Sequence, residues 1–253
     1  MTSPGCSEGT EVPPRGNEKA QHIHRLFNSV APRYDLMNDL MTLGLHRRWR
    51  AHAVKLAGTL EPGGWGLDLC CGSGDFLALL LDITGGKGHF IGMDFSEEML
   101  ALARRRFSRQ VAGGTVELIL GDVRDLSSLP AREFSMVTCG FGLRNVAEPS
   151  RVLEQAGERL RPDGAFVSLD LTRPAPLLLQ PAVALYMRWL IPLLARIVAG
   201  AGPQYLWLHE SRQSFPTRDE LAELMRMLGY RRVRIVNYGC GVVAAHIGYR
   251  RGI

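Results

Sequence analysis

The chain has 253 residues, of which 46% are hydrophobic and 22% charged, with a formal net charge of +5. That length suits one α/β domain with a sizeable core, and the composition excludes a disordered, collagen-like or disulfide-dense chain. The mild basic excess suits an anionic membrane surface or nucleic acid, and is equally what an ordinary solvated surface carries. Residues 1–19 are polar, with three glutamates, and lack the apolar core of a signal peptide or an Arg-rich amphipathic pattern. They read as a disordered tail before a single domain over 20–253, and point to a cytoplasmic location. Residues 20–60 read as a helical cap, with Trp49, Ala53 and Leu56 on one face at helical spacing.

From residue 65 the chain alternates strand and helix. Strands are predicted at 65–70, 88–94, 115–120, 134–140 and 163–170, with helices at 75–82, 96–108 and 148–160 between them. Ser96 is a good N-cap, because its hydroxyl can accept from the next turn's unpaired amides, and Glu97 and Glu98 suit the positive end of the helix. This alternation predicts a parallel sheet with right-handed crossovers. After a helix at 217–228, two strands (230–238 and 242–249) flank Gly239–Gly241 and read as an antiparallel hairpin.

The most specific stretch is LDLCCGSGD, residues 67–75. An apolar strand ends at Asp68 and Leu69, Gly72-Ser73-Gly74 makes a tight turn, and an amphipathic helix starts at Phe76. Gly72 and Gly74 let the backbone turn sharply and approach a ligand. Asp94 ends the next apolar run, where nucleoside-binding α/β folds place an acid on ribose hydroxyls. A dinucleotide fingerprint needs a third glycine where this chain has Leu77, and Asp75 at the helix start would repel a pyrophosphate. The pattern D-x-G-x-G-x-G of S-adenosylmethionine (SAM) enzymes fits better, with Cys70 in place of the first glycine. SAM carries a ribose and a sulfonium but no phosphate, so acids are welcome beside it. The expected fold is therefore a class I SAM-dependent methyltransferase: α/β, Rossmann-like, mostly parallel, with an antiparallel C-terminal hairpin strand, a helical cap and an apolar helical insertion.

That insertion covers 174–214. Its strongly apolar part, 174–202, is broken by Pro181, Arg188, Pro192 and Arg196. A spanning helix needs about 20 mostly apolar residues with few charges, so a membrane span is disfavoured. A buried helix pair, a lid over a greasy substrate and a face lying on a membrane remain open. The five cysteines (Cys6, Cys70, Cys71, Cys139, Cys240) form no C-x-x-C pair and no zinc spacing, so reduced thiols are expected and no metal site. His246, inside the apolar run GVVAAHIGY, reads first as a satisfied core histidine.

GFGLRN, residues 140–145, follows the fourth strand directly and places Arg144 and Asn145 beside the cofactor end of the sheet. Together with YDLMNDLMTLGLHRRWR (34–50), LDLCCGSGD, SRQSFP (211–216) and NYGCGVVAAHIGY (237–249), it resembles the menaquinone/ubiquinone biosynthesis C-methyltransferases over about residues 20–250. LDLCCGSGD is most similar to the branch acting on 2-phytyl-1,4-naphthoquinone (demethylphylloquinone). The resemblance implies cofactor contacts at Ser73, Asp94, Asp122 and Val123, with Asp122 near the adenine amino group. Relatives often carry serine where this chain has Gly140, which removes one side-chain hydroxyl from that set.

The implied substrate is a lipophilic prenylated quinol, methylated on a ring carbon: demethylphylloquinol, demethylmenaquinol, or a benzoquinol precursor of ubiquinone. The ring is electron-rich only when reduced, above all as its phenolate. Arg144 with Asn145 is expected at the reacting centre. Arginine stays protonated, so its expected role is to stabilise the phenolate or position a basic water. Asp35 and His46 are the further catalytic candidates from the cap, and Tyr34, Asn38 and Arg47 the substrate-binding ones. His46 alone has an unperturbed pKa near neutrality; helix packing would equally explain it and Trp49. Peripheral membrane contact is expected, and a homodimer is left open.

Two other classes share some of these features. A nucleic-acid methyltransferase would use the basic excess and Arg231, Arg232 and Arg234. However, an N/D-P-P-Y/F motif is missing after strand four, and Cys139 follows threonine inside a strand rather than proline. No nucleic-acid partner is expected. The second rival is a SAM-binding protein without catalysis, against which Arg144, Asn145 and the apolar insertion argue.

Overall fold

The computed structural model describes residues 34–58, 60–172, 181, 185–190 and 215–250. The expected tail (1–19), the start of the cap and most of the 174–214 insertion lie outside the described residues.

Where one helical stretch was expected, the cap forms two helices, α1 (Tyr34–Thr42) and α2 (Leu45–Ala57). They break at Leu43 and Gly44, both in the left-handed region (φ 52° and 71°). Gly58 closes α2 in the same conformation, its amide reaching back to the Val54 carbonyl.

The alternating body follows in order: β1 (Trp65–Leu69), α3 (Asp75–Ile83), β2 (His89–Asp94), α4 (Glu97–Arg106), α5 (Ser108–Ala112), β3 (Val116–Leu120), β4 (Phe134–Gly140), α6 (Pro149–Arg159), β5 (Leu160–Leu171), α7 (Arg218–Met227), β6 (Arg231–Tyr238) and β7 (Val243–Tyr249). The predicted helix over 96–108 ends early, because Phe107 leaves helical geometry (φ −106°, ψ 25°) and turns its ring under Gly74. Ser96 caps α4 by accepting from the Met99 amide at 3.2 Å. β5 starts three residues earlier than predicted. Its Arg-Pro-Asp-Gly sequence looks like a turn, but Asp163 takes φ 59° at a register shift and the strand runs through.

The seven strands lie in the order β3-β2-β1-β4-β5-β7-β6. Neighbours from β3 to β5 are parallel, and β7 is antiparallel to both β5 and β6. Both sheet faces are covered, which explains why the inner strands are continuously apolar rather than alternating. On one face α2, α3 and α4 pack with Phe90, Met136 and Val167. On the other, α6 and α7 cover Leu67, Leu69, Ile91 and Phe134. β6 is one of the two edge strands of the described sheet, and its three arginines, Arg231, Arg232 and Arg234, are exposed. His246 is buried on β7, and its Nε2–H donates to the Arg218 carbonyl at 2.8 Å, the satisfied core role anticipated.

Strand order reverses between β1 and β4. In an open α/β sheet the crevice beyond the carboxyl ends at such a point is where ligands bind. Among the described residues no helix is long and apolar enough to cross a membrane.

Candidate active site

The crevice at the β1/β4 switch point holds a pocket that opens to solvent. Carboxyl-end residues of four strands and their loops line it: Cys70 and Gly72 after β1, Asp94 and Phe95 after β2, Asp122 and Val123 after β3, and Gly140, Phe141 and Asn145 after β4. The glycine loop is built from left-handed residues. Gly72 and Gly74 have φ 55° and 88°, and Cys70, where the SAM pattern carries its first glycine, is forced to φ 52°. The motif prefers glycine there because an L side chain is strained in that region. Gly142 fits only without a side chain, since a Cβ would lie 2.3 Å from the Cys70 Cβ.

Asp94 is 5% exposed and joins two turns. Its Oδ2 accepts the Gly72 amide at 2.8 Å and its Oδ1 the Ser96 amide at 2.9 Å. Each carboxylate oxygen has a second lone pair, so the group can still accept from hydroxyls entering the pocket. Asp122 accepts from Arg124 Nε and from NH2 at 2.6 Å, while the Arg124 amide caps its Oδ1. Burial raises the Asp122 carboxyl, and Arg124 outweighs it and holds it below the usual range. Asp68 is fully enclosed next door and accepts from Thr138 Oγ1 at 2.7 Å. Burial pushes its pKa up to about 7.

The GFGLRN motif divides its two polar residues. Asn145 lines the pocket, with its Nδ2 donating to the Phe141 carbonyl at 3.2 Å. Arg144 does not line it. The Arg144 guanidinium turns into the protein, donating to Asp170 Oδ1 and to the Phe141 carbonyl at 2.6 Å each. Asp170 Oδ2 also accepts the Arg144 amide at 3.1 Å. The expectation that Arg144 faces a phenolate therefore does not match its geometry, because both ends of the side chain clamp the turn that carries Asn145. Gly140 leaves room for Phe76, whose ring edge would lie 2.6 Å from any Cβ at that position.

The cap candidates separate as well. Asp35 reaches the glycine loop, accepting from Ser73 Oγ at 2.7 Å. His46 is buried, with both nitrogens engaged: Arg50 is donor-only, so Nδ1 accepts from it and Nε2–H donates to Asp39 Oδ1 at 2.9 Å. Burial also depresses its pKa, so the neutral ring serves as a spacer between two charged groups rather than as an open base. Arg47 pairs with Asp39 at 2.6 Å and is largely exposed, away from the pocket. Asn38 sits half-buried on α1, its Nδ2 buried without a hydrogen-bond partner. The Tyr34 ring falls outside the described residues.

Two further residues belong to the site. Arg50 is 5% exposed, and its NH1 lies 3.1 Å from Asp75 Oδ2. Asp75 also pairs with Arg106 at 3.0 Å. Burial raises the Asp75 carboxyl, and Arg50 with Arg106 outweighs that and holds it below the usual range. Arg50 spans the rings of Phe76 and Phe141, its guanidinium carbon 5.6 and 5.1 Å from their centroids. With Asp68, Ser73, Asp75, Phe76 and Gly140 it lines a second, smaller cavity adjoining the first. The basic run HRRWR was the signal for Arg50, but nothing in it separates one arginine from its neighbours.

This donor set fits SAM. Carboxylates at successive strand ends suit ribose hydroxyls, an adenine amine and an ammonium, and the left-handed glycine cradle admits a ligand against the backbone. The reversing strand order, the cradle and these acids define a class I SAM-dependent methyltransferase. Solved structures carry the same fold: a SAM-dependent methyltransferase from Thermotoga maritima aligns with TM-score 0.62 and 21% identity, covering 91% of this chain and 100% of that one. One from Aquifex aeolicus aligns with TM-score 0.55 and 19% identity over 79% and 88%. A model of the ubiE/COQ5 methyltransferase family matches residues 15–250, and the chain belongs to that family. Demethylmenaquinone methyltransferases from Geobacillus kaustophilus and Listeria welshimeri are 35% and 33% identical to it, each over 92% of this chain and 98% of theirs.

Proposed function

We propose that the chain methylates a ring carbon of a reduced, prenylated naphthoquinone, with demethylmenaquinol as the foremost substrate and demethylphylloquinol as its nearest alternative. The observation that carries this reading is the match to enzymes named for demethylmenaquinone, which covers 98% of their length.

Bound SAM supplies an electrophilic methyl group on a sulfonium. Asp94 and Asp122 are the residues that would hold its ribose and adenine, and Asp68 and Ser73 those that would flank its amino-acid end. Phe95, Met99, Val123, Phe141, Val146 and Ala147 make the pocket wall largely apolar, which excludes water from the reacting groups. Asn145 orients the hydroxyl beside the ring carbon, and the Arg144–Asp170 pair fixes the turn that presents it. Such fixed alignment is a large part of the rate of a bimolecular transfer. Of the cap groups, Asp35 reaches the glycine loop while remaining open to solvent, which supports assigning it the transfer of the phenolic proton to water.

A prenyl tail meets the chain at a membrane surface in this reading. Tyr186 ties the segment 185–190 to the cap by donating to the Met41 carbonyl at 3.0 Å, and Leu185 and Trp189 on it are 62% and 66% exposed.

The test is transfer of labelled methyl from SAM to demethylmenaquinol, demethylphylloquinol and a benzoquinol precursor, each reduced and oxidised. Product from a reduced naphthoquinol alone is expected. Equal rates on the oxidised form would overturn the phenolate chemistry, and preference for the benzoquinol would overturn the ring assignment.

A further inference from the structure

The Arg50 guanidinium is, like that of Arg144, buried with its Nε unpartnered, but it borders the small cavity beside the glycine loop. It comes from the cap helix α2, not from the sheet, yet it is buried at the carboxyl ends of β1 and β4. Its NH1 is satisfied by His46 and Asp75. Its Nε has no hydrogen-bond partner. Buried polar groups are normally paired, and an unpaired one calls for an explanation such as an absent ligand. The Nε lies toward Gly140, 3.5 Å from where a Cβ on that residue would stand. Gly140 lines both the cofactor pocket and the small cavity. The unpaired donor therefore faces the seam where the two spaces meet.

Across the same small cavity stands Asp68, buried and raised toward neutrality. Asp75 lines this cavity too, but it is already taken up by Arg50 and Arg106; Asp68 and the Arg50 guanidinium, with no direct hydrogen bond between them among the described contacts, are the two opposite charges left for a ligand. Its complement is a zwitterion: an ammonium for Asp68 and a carboxylate for Arg50. SAM ends in such an α-amino acid.

We propose that Arg50 binds the carboxylate of the cofactor's amino-acid end, so that the cap helix is part of the cofactor site rather than only a cover for substrate. This rests on the assignment of SAM to the pocket. His46 and Asp75 hold the guanidinium in place from one side and Phe76 and Phe141 from two others, which leaves Nε directed at the ligand. A phenolate oxygen of the other reactant is the competing anion. The carboxylate is favoured because Asp68 supplies the matching site for its neighbouring ammonium.

Calorimetry with S-adenosylhomocysteine and with its decarboxylated analogue, which lacks only that carboxylate, tests the assignment. The wild-type protein is expected to bind the first about ten- to a hundred-fold more tightly than the second, as a charged hydrogen bond would give. Arg50→Gln should remove that preference, weakening S-adenosylhomocysteine while leaving the analogue unchanged, and Arg50→Lys should restore part of it. Equal wild-type affinity for the two ligands would overturn the proposal even if every variant failed to fold. So would equal losses on both ligands in Arg50→Gln, which mark a scaffold role, or unchanged binding with a lowered kcat, which places Arg50 on the other reactant. Failure of the wild-type protein to bind either ligand would instead overturn the cofactor assignment itself.

Discussion

The sheet side and the cap side of this site are built differently, although both depend on a carboxylate, buried in Asp94 and half-buried in Asp75. On the sheet side Asp94 is held by two backbone amides, those of Gly72, 22 residues before it, and Ser96, two residues after it. On the cap side Asp75 is held by side-chain cations, Arg50 and Arg106, that arrive from 25 residues before and 31 residues after it in sequence. Amides fixed by a turn cannot leave and need no counter-charge. Cations on separate helices hold only while those helices stay docked. The difference implies a cofactor floor that is rigid by construction and a cap that is docked by its apolar face but whose polar contacts with the glycine loop depend on electrostatics.

The strongest test of the rigid floor lies at its substrate edge. Arg144 and Asp170 are each about 5% exposed and paired at 2.6 Å. Arg144→Met leaves a buried carboxylate without its cation, a loss of about 3–5 kcal/mol of stability. Thermal unfolding should show it, and Arg144→Met with Asp170→Asn should recover a substantial part. A stable Arg144→Met protein that binds SAM normally and has lost turnover would instead restore this arginine to direct chemistry.

Asp94→Ala comes next. It orphans two buried amides, each worth about 1–3 kcal/mol, and removes the acceptor for the ribose. Cofactor affinity should fall about a hundred-fold by calorimetry together with the melting temperature. Unchanged affinity would remove Asp94 from the cofactor site.

The same contrast explains how much of the molecule could be read from the sequence. The floor was legible because its parts are contiguous: strand, glycine turn, helix, strand, acid occupy residues 65–94, and local chemistry dictates each. The parallel sheet with its closing hairpin was legible from periodicity. The cap network was not, because Asp39, His46, Arg50 and Asp75 acquire meaning only when α1 and α2 dock on α3. Arg144 was misplaced for a related reason. GFGLRN specifies a polar turn at the site, but which side chain faces the pocket is decided by Asp170, 26 residues away. Residues 20–33 and most of 174–214, on which the lid and membrane expectations partly rest, lie outside the described structure.

Asp68 sharpens the comparison by pH. Its folded-state pKa, about 7, lies above the unfolded value near 4, so its ionisation weakens the fold. The penalty is absent below the unfolded pKa, grows as pH rises, and is complete above about 7. Asp68→Asn should therefore raise stability most at pH 8 and hardly at pH 4, by about 0.5–2 kcal/mol at its largest, read as a higher melting temperature. Cofactor affinity should fall in the same variant. In the wild-type protein, affinity should weaken as pH drops below 7, because the ammonium requires the ionised carboxylate. A pH-independent stability difference would show that Asp68 does not titrate in this range.

The smallest expected effect on folding comes from the exposed end of the cap assembly. Trp189 is 66% exposed on a segment that Tyr186 anchors to the cap, so Trp189→Asp removes little packing and should change stability by less than about 0.5 kcal/mol. Its indole is suited to the headgroup level of a bilayer, where an amphipathic ring gains from both phases, and an aspartate there is repelled by anionic lipid. Flotation with vesicles containing anionic lipid should therefore weaken severalfold, and so should turnover of a long-tailed quinol presented in those vesicles. Turnover of a short-tailed quinol in solution should stay unchanged, because the pocket and its carboxylates are untouched. Equal losses on both substrates would mean that this segment acts on the catalytic site itself, and unchanged flotation would remove Trp189 from the membrane-facing surface.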